Sequence, residues 1–229
     1  ASGDLSLITV TSQTLGECWQ QCVASIVTHG KKTYDEDAVI YEILGLSIEI
    51  THPSSEDSFI NDIGDQKVIE KMMMKFTKGV VMDDRPFTYG QLIYDMNGID
   101  QFEWMLARLK NKPETKSATI SLLTPGLTHP NLPCLSTLDA KIRDGKLHLQ
   151  FFFRSQNVFG RQYANLLALA KLHEQLSIRS GCHVGCLRGY IASAHIYDYD
   201  LNEAQMLSRS QSINVHDRYY THGPSSVRT

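Results

Sequence analysis

Cys134 is the residue best placed to act as a nucleophile. It lies in His129-Pro130-Asn131-Leu132-Pro133-Cys134-Leu135-Ser136, directly behind a proline and at the start of a stretch that reads as a strand. Proline fixes its own φ and stiffens the lead-in; a cysteine serving only as a small core hydrophobe has no need of that. A thiol attacks as the thiolate, so a cation must stand close by to lower its pKa. Arg154 is the candidate: it ends a run of three phenylalanines at 151–153, is followed by Ser155, and precedes Asn165 by eleven residues. On these residues alone Cys134 stays open between nucleophile and packing residue.

Other groups have plainer readings. Cys18-x3-Cys22 and Cys182-x3-Cys186, with His183 alongside, suggest zinc, but structural zinc favours tighter two-residue knuckles, so no metal is expected. Met72 to Met74 reads as helix packing, and Lys31-Lys32 as a solvated helix end, with a phosphate contact as the alternative. Glu42 is an acid inside a mostly apolar run and calls for an explanation.

The elements that must hold these residues follow from periodicity. Residues 17–30 carry apolar positions at helical spacing and close on His-Gly. Residues 35–50 open with acids suited to a helix N-terminus and continue apolar, which predicts a second helix bearing Glu42. A polar loop at 51–65 and helices at 66–79 and 98–114 follow, the last stopping before Pro113. Beyond it the texture becomes β-branched and aromatic, with Asp144-Gly145 as a two-residue hairpin signal. Helical spacing returns at 163–181, a strand at 189–201, and a polar tail at 214–229. With 229 residues, 42% hydrophobic content and no compositional break, the expectation is a single α/β domain over 1–229 with its core at about 17–205. A net charge of −3 and no basic run exclude nucleic-acid binding as the main reading. No signal peptide or membrane-length apolar stretch is visible, and five scattered cysteines do not form a secreted disulfide framework. A cytoplasmic protein with reduced thiols is expected.

In order and spacing, Leu132-Pro133-Cys134, a strand hairpin, Arg154-Ser155-x-Asn157, Asn165 and Ala194-His195-Ile196-Tyr197 resemble the active-site half of the thymidylate synthase and pyrimidine hydroxymethylase family. Tyr-Glu-Ile-Leu-Gly around Glu42 looks like the family's Glu-Leu-Leu-Trp helix, Thr-Tyr-Gly-Gln around Tyr89 like its Tyr-Gly pair, and Gly98 to Gln101 precedes a helix as in the family. The resemblance covers residues from about 20 to 201. It implies a mixed sheet packed with helices, one sheet face forming a homodimer interface. The chemistry it implies is C5 methylation of dUMP: Cys134 adds to C6 and C5 takes a one-carbon unit from 5,10-methylenetetrahydrofolate or a related pterin such as methylene-tetrahydromethanopterin. Arg154 and Ser155 would bind the phosphate, the same arginine steadying the thiolate. Asn165 would read the uracil edge, one donor and one acceptor against O4 and N3–H. His195 and Tyr197 would hold the sugar hydroxyl, Asn157 would line the pocket, Glu42 and Tyr89 would serve proton transfer, and Lys116 would reach the partner's phosphate.

The sequence also departs from the family. Leu135 stands where the family has His, Phe153 where it has Gln, Asn157 where it has Asp, and Arg161 and Ala164 where it has Gly and Phe. Lys116-Ser117 replaces a pair of arginines, and the amino-terminal arginine loop and apolar carboxyl terminus have no match. These departures fall mostly on the carrier side and resemble the compact archaeal-type members. Hydroxymethylation of a uracil or cytosine nucleotide is the alternative activity, and a non-catalytic uridylate-binding protein the alternative of another class; Asn165 favours uracil over cytosine, and Cys134 with Glu42 argues for turnover.

Overall fold

The computed structural model describes residues 7–128 and 131–210; the tail at 214–229 and His129-Pro130 of the lead-in to Cys134 lie outside them. In chain order the elements are β1 (Ile8–Ser12), α1 (Leu15–His29), β2 (Lys31–Asp35), β3 (Ala38–Ile50), α2 (Ser58–Ile63), α3 (Gln66–Phe76), α4 (Tyr89–Tyr94), α5 (Gln101–Asn111), β4 (Thr119–Ser121), β5 (Leu135–Arg143), β6 (Lys146–Asn157), α6 (Gln162–Ser180), β7 (His183–Tyr197), a 3-10 turn (Asp198–Asp200) and α7 (Leu201–Arg209). The strands form one mixed sheet in the order β1-β3-β7-β6-β5-β4, with β2 also on β3. β1 pairs parallel with β3, and β6 parallel with β7. The crossover between β6 and β7 is α6, the helix a parallel pair requires.

Local chemistry accounts for most elements. Thr14 and Glu17 close a capping box on α1, whose buried stripe is Leu15, Cys18, Trp19, Cys22, Val23 and Ile26. Asp144 and Gly145 both adopt positive φ, 51° and 71°, the turn that matches the twist of β5 and β6. Along β6, Leu147, Leu149, Phe151 and Phe153 are buried. Phe152 points the other way and stacks on Tyr190 of β7 at 5.5 Å. The first half of α6, residues 162–170, is buried on every side and the second half on one face, as in a helix that runs from the core to the surface, and it ends on Gly181 in the left-handed region at φ 74°.

Residues 35–50 are not a helix. They form the end of β2 and the whole of β3, which pairs antiparallel with β7 from Ile40↔Tyr197 to Ile50↔Leu187. The β-branched residues Val39, Ile40, Ile43, Ile48 and Ile50 suit a pleated, half-buried surface, and pairing on two sides outweighs the acidic start. Glu42 is therefore a strand residue, and the likeness to a Glu-Leu-Leu-Trp helix fails in its secondary structure. Lys31-Lys32 opens β2 opposite Glu42 and Tyr41 instead of ending a helix. The loop expected at 51–65 contains α2, capped by buried Asp57, which accepts from Ile60 N–H and from Gly16 N–H at 2.9 Å each.

In β3 the buried positions alternate as 46, 48 and 50, then fall at 43 and 40. Between 43 and 46 lies Gly45, whose φ is +84°, a local kink that leaves the register with β7 the same on either side. A Cβ there would lie 2.6 Å from Tyr190 Oη. Gly45→Ala therefore meets both an unfavourable φ and a collision, and a loss of about 1–3 kcal/mol is expected in urea unfolding; a wild-type midpoint would show that the kink is not required.

Candidate active site

Cys134 immediately precedes β5, and its carbonyl accepts from Arg154 N–H at 2.8 Å, so the cysteine and the arginine sit side by side where β5 begins to pair with β6. Leu135 pairs with Phe153 and Thr137 with Phe152, a register shift that leaves Ser136 as the extra residue. Such a bulge re-aims the chain where it leaves the sheet. Arg154 then folds back: Nε donates to Pro133 O at 3.0 Å and Nη2 to Leu132 O at 2.6 Å. The guanidinium thus braces the segment that carries the thiol and keeps further N–H groups for an anion.

These residues line a cleft of about 430 Å³ together with Lys75, Arg85, Phe87 and Tyr89. Tyr89 Oη accepts from Leu135 N–H at 3.4 Å. Burial, and then the nearby Cys134, push its phenol up to about 12, so it stays protonated at neutral pH. Lys75, on the last turn of α3, is brought down to about 8 by burial and by the charges of Arg85 and Arg161. The cleft around the thiol thus carries Lys75, Arg85 and Arg154 against one carboxylate, Asp84, which pairs with Arg85 at 3.1 Å.

The sheet register carries the site onward. Ser155 lies opposite Ser193, and Asn157 opposite His195; His195 in turn lies opposite Glu42. Glu42, His195 and Asn157 form one row across three strands. Ser193 Oγ donates to Glu42 Oε2 at 2.5 Å and lies 3.4 Å from His195 Nδ1. Burial holds the His195 pKa below its usual value, so the ring is neutral near pH 7. Tyr197 O–H donates to Asp35 Oδ2 at 2.7 Å. Asn157 Oδ1 accepts from Gly160 N–H at 3.0 Å, which shapes the turn into α6.

Asn165, on the first turn of α6, is buried. Its Nδ2 donates to Arg161 O at 3.2 Å, and its Oδ1 is buried with no partner. It does not line the Cys134 cleft in the free chain. Lys116 lies elsewhere, beside Arg108 and Lys112 in a separate hollow. A second cleft, of about 310 Å³, joins Asn157 and Arg161 to Trp19, Tyr163, Tyr199 and Asp200. Burial and Glu203 push Asp200 up to about 6. Among the described residues no three His, Cys, Asp or Glu side chains gather as a metal site, and no helix is long and apolar enough to cross a membrane. Lys75, Arg85, Ser193 and Asp35 escaped sequence reasoning: each enters through packing between distant elements and has no motif of its own.

A family model described as Thymidylate synthase matches residues 55–216, a stretch that holds Cys134, Arg154, Asn165 and His195 but begins after Asp35 and Glu42. A protein of Methanosarcina mazei named "Putative thymidylate synthase" is 31% identical over 195 residues, covering 83% of this chain and 90% of that protein. One of the same name from Methanopyrus kandleri is 30% identical over 201 residues, covering 85% and 95%. A "Thymidylate synthase" of Mycoplasma pneumoniae is 27% identical over 120 residues, covering 52% of this chain and 42% of that protein.

Proposed function

The chain belongs to the thymidylate synthase family, and from that premise we propose that it transfers a one-carbon unit to C5 of a uracil nucleotide, with dUMP to dTMP as the leading reaction. The observation that carries this reading is Cys134 held beside Arg154 by a backbone hydrogen bond at 2.8 Å at the mouth of a cationic cleft.

C5 of uracil is a poor nucleophile until a thiolate adds to C6, which delivers an enolate's charge to C5. Cys134 supplies that thiolate, and Arg154 stabilises it while binding the phosphate with Ser155. Asn165 holds O4 and N3–H, and His195 and Tyr197 hold the sugar. Glu42 moves protons to and from O4 along the Ser193 hydroxyl and water. Tyr89, kept protonated, orders a water for removal of the C5 proton. Expulsion of Cys134 closes the cycle.

The clefts fit a reduced pterin carrier. Trp19, Phe159, Tyr163 and Tyr199 offer flat walls, and Asp65 and Asp200 offer acceptors for an amino-pyrimidinone edge. When bound, such a carrier supplies the methylene group and, for a methyl product, the hydride. Hydroxymethylation remains the second reading, favoured by the replacement of the family's carrier-side residues by Asn157, Arg161 and Ala164. Incubation with dUMP or UMP and a methylene-bearing carrier separates the readings. A methyl product with an oxidised carrier supports the first, a hydroxymethyl product with the carrier still reduced supports the second, and binding without turnover leaves only a uridylate-binding protein.

We further propose a homodimer through the open sheet face. Phe152 is 39% exposed although it stacks on Tyr190, more apolar surface than a solvated sheet face needs. Lys116 would then reach the partner's phosphate. Light scattering at micromolar concentration is expected to give a dimer and Phe152→Glu a monomer; a monomeric wild type removes both claims.

A further inference from the structure

A cleft of about 700 Å³ opens where α3, α5 and α6 meet, larger than the Cys134 cleft and sharing no lining residue with it or with the cleft around Trp19. Phe76, Phe102, Ala168 and Leu172 are buried beneath it, and Tyr94 sets its ring 5.5 Å from that of Phe102. Ile178 lines it while 76% exposed. The charged lining is uneven, with Lys78, Lys171 and Arg179 against Glu103 alone. Glu103 is spent on Arg179, accepting from both Nη1 and Nη2, the latter at 3.1 Å. Lys78 gives one of its three N–H donors to Asp100 at 2.7 Å and keeps two. Lys171 is exposed and has no ion pair among the described residues.

An aromatic-walled hollow of this size with a few polar groups at its rim is the form of a small-molecule site, and the surplus of positive charge sets the sign of what fits. The apolar floor takes a ring, and Lys78 and Lys171 take an anion attached to it. Phe76 joins this hollow to the active cleft: its ring lies 4.8 Å from that of Tyr89, whose Oη accepts from Leu135 N–H beside Cys134. We infer that the cleft between α3, α5 and α6 is an effector site for an aromatic anion, the chemistry shared by nucleotides and pteroylglutamates, and that its occupancy reaches Cys134 through Phe76 and Tyr89. Such a site is separate from the one-carbon transfer proposed above and does not depend on it.

The test is fluorescence titration of the full chain with 8-anilinonaphthalene-1-sulfonate and with N-phenyl-1-naphthylamine, the same ring system without the charge. Lys171→Glu is expected to weaken the anion about tenfold and the neutral compound by less than about twofold. Equal effects on both, or none on the anion, overturn the site. Displacement of the anion from the wild type by dTTP marks a nucleotide as the ligand, and displacement by folic acid a pteroylglutamate; displacement by neither overturns the assignment. The coupling is read at the thiol. Alkylation of Cys134 by iodoacetamide, followed by peptide mass, is expected to change by more than about twofold when the anionic probe saturates the wild type, and to stay unchanged in Lys171→Glu at the same probe concentration. An unchanged wild-type rate, or the same change in Lys171→Glu, overturns the effector role.

Discussion

Replacement of Cys134 by alanine is expected to abolish turnover, by on the order of 10⁴-fold or more, the scale on which removal of a covalent nucleophile acts. Nucleotide affinity should change little, because Arg154 is anchored by Pro133 O, Leu132 O and Cys134 O, all main-chain atoms that the substitution leaves in place. The covalent step has its own readout. With 5-fluoro-dUMP and a methylene carrier, the C5 substituent cannot depart as a cation, so the adduct should persist and appear in the intact mass of the wild type but not of Cys134→Ala. An adduct on both proteins would assign the nucleophile to another residue.

The second large effect concerns base choice. Asn165→Asp is expected to cost most of the turnover on the uracil nucleotide, about 5- to 150-fold for a mismatch of about 1–3 kcal/mol, and to open measurable C5 chemistry on the cytosine nucleotide. An amide can in principle flip to serve either base. Here the Arg161 carbonyl, at 3.2 Å from Nδ2, holds the orientation, because a flipped amide would set oxygen against oxygen. The buried, unpartnered Oδ1 is then the acceptor left for N3–H, and the second amide hydrogen the donor for O4. A carboxylate in the same place accepts from N4–H2 of cytosine and opposes O4 of uracil. An unchanged preference in competition kinetics would mean that Asn165 does not touch the base.

What sequence could and could not foretell follows from the range of the forces involved. α1, α6 and the β5–β6 hairpin are set by caps, periodicity and the Asp144-Gly145 turn, all within a few residues, and they are legible. β3 is not, because its acidic start and apolar body suit a helix until β7 and β1 supply partners from far along the chain. The site divides in the same way. Cys134 and Arg154 are joined by a hairpin, so proximity could be argued from spacing. Glu42 stands out as an acid in an apolar run, but its contact with Ser193 depends on strand pairing no local pattern announces. Asp35 reads as a helix-opening acid although it ends β2, and Lys75 carries no signal of its own.

β7 lies between β3 and β6, so the middle of the sheet is the last part of the chain able to find both of its neighbours. The Glu42–Ser193 hydrogen bond joins residues separated by 151 positions, and loop closure of that length precedes any gain from the contact. The row Glu42–His195–Asn157 should therefore assemble late in refolding, after the β5–β6 hairpin has already brought Cys134 to Arg154. During synthesis the nascent chain would possess its thiol and its arginine well before it possesses a place for the sugar. Regain of nucleotide binding should then lag behind regain of secondary structure.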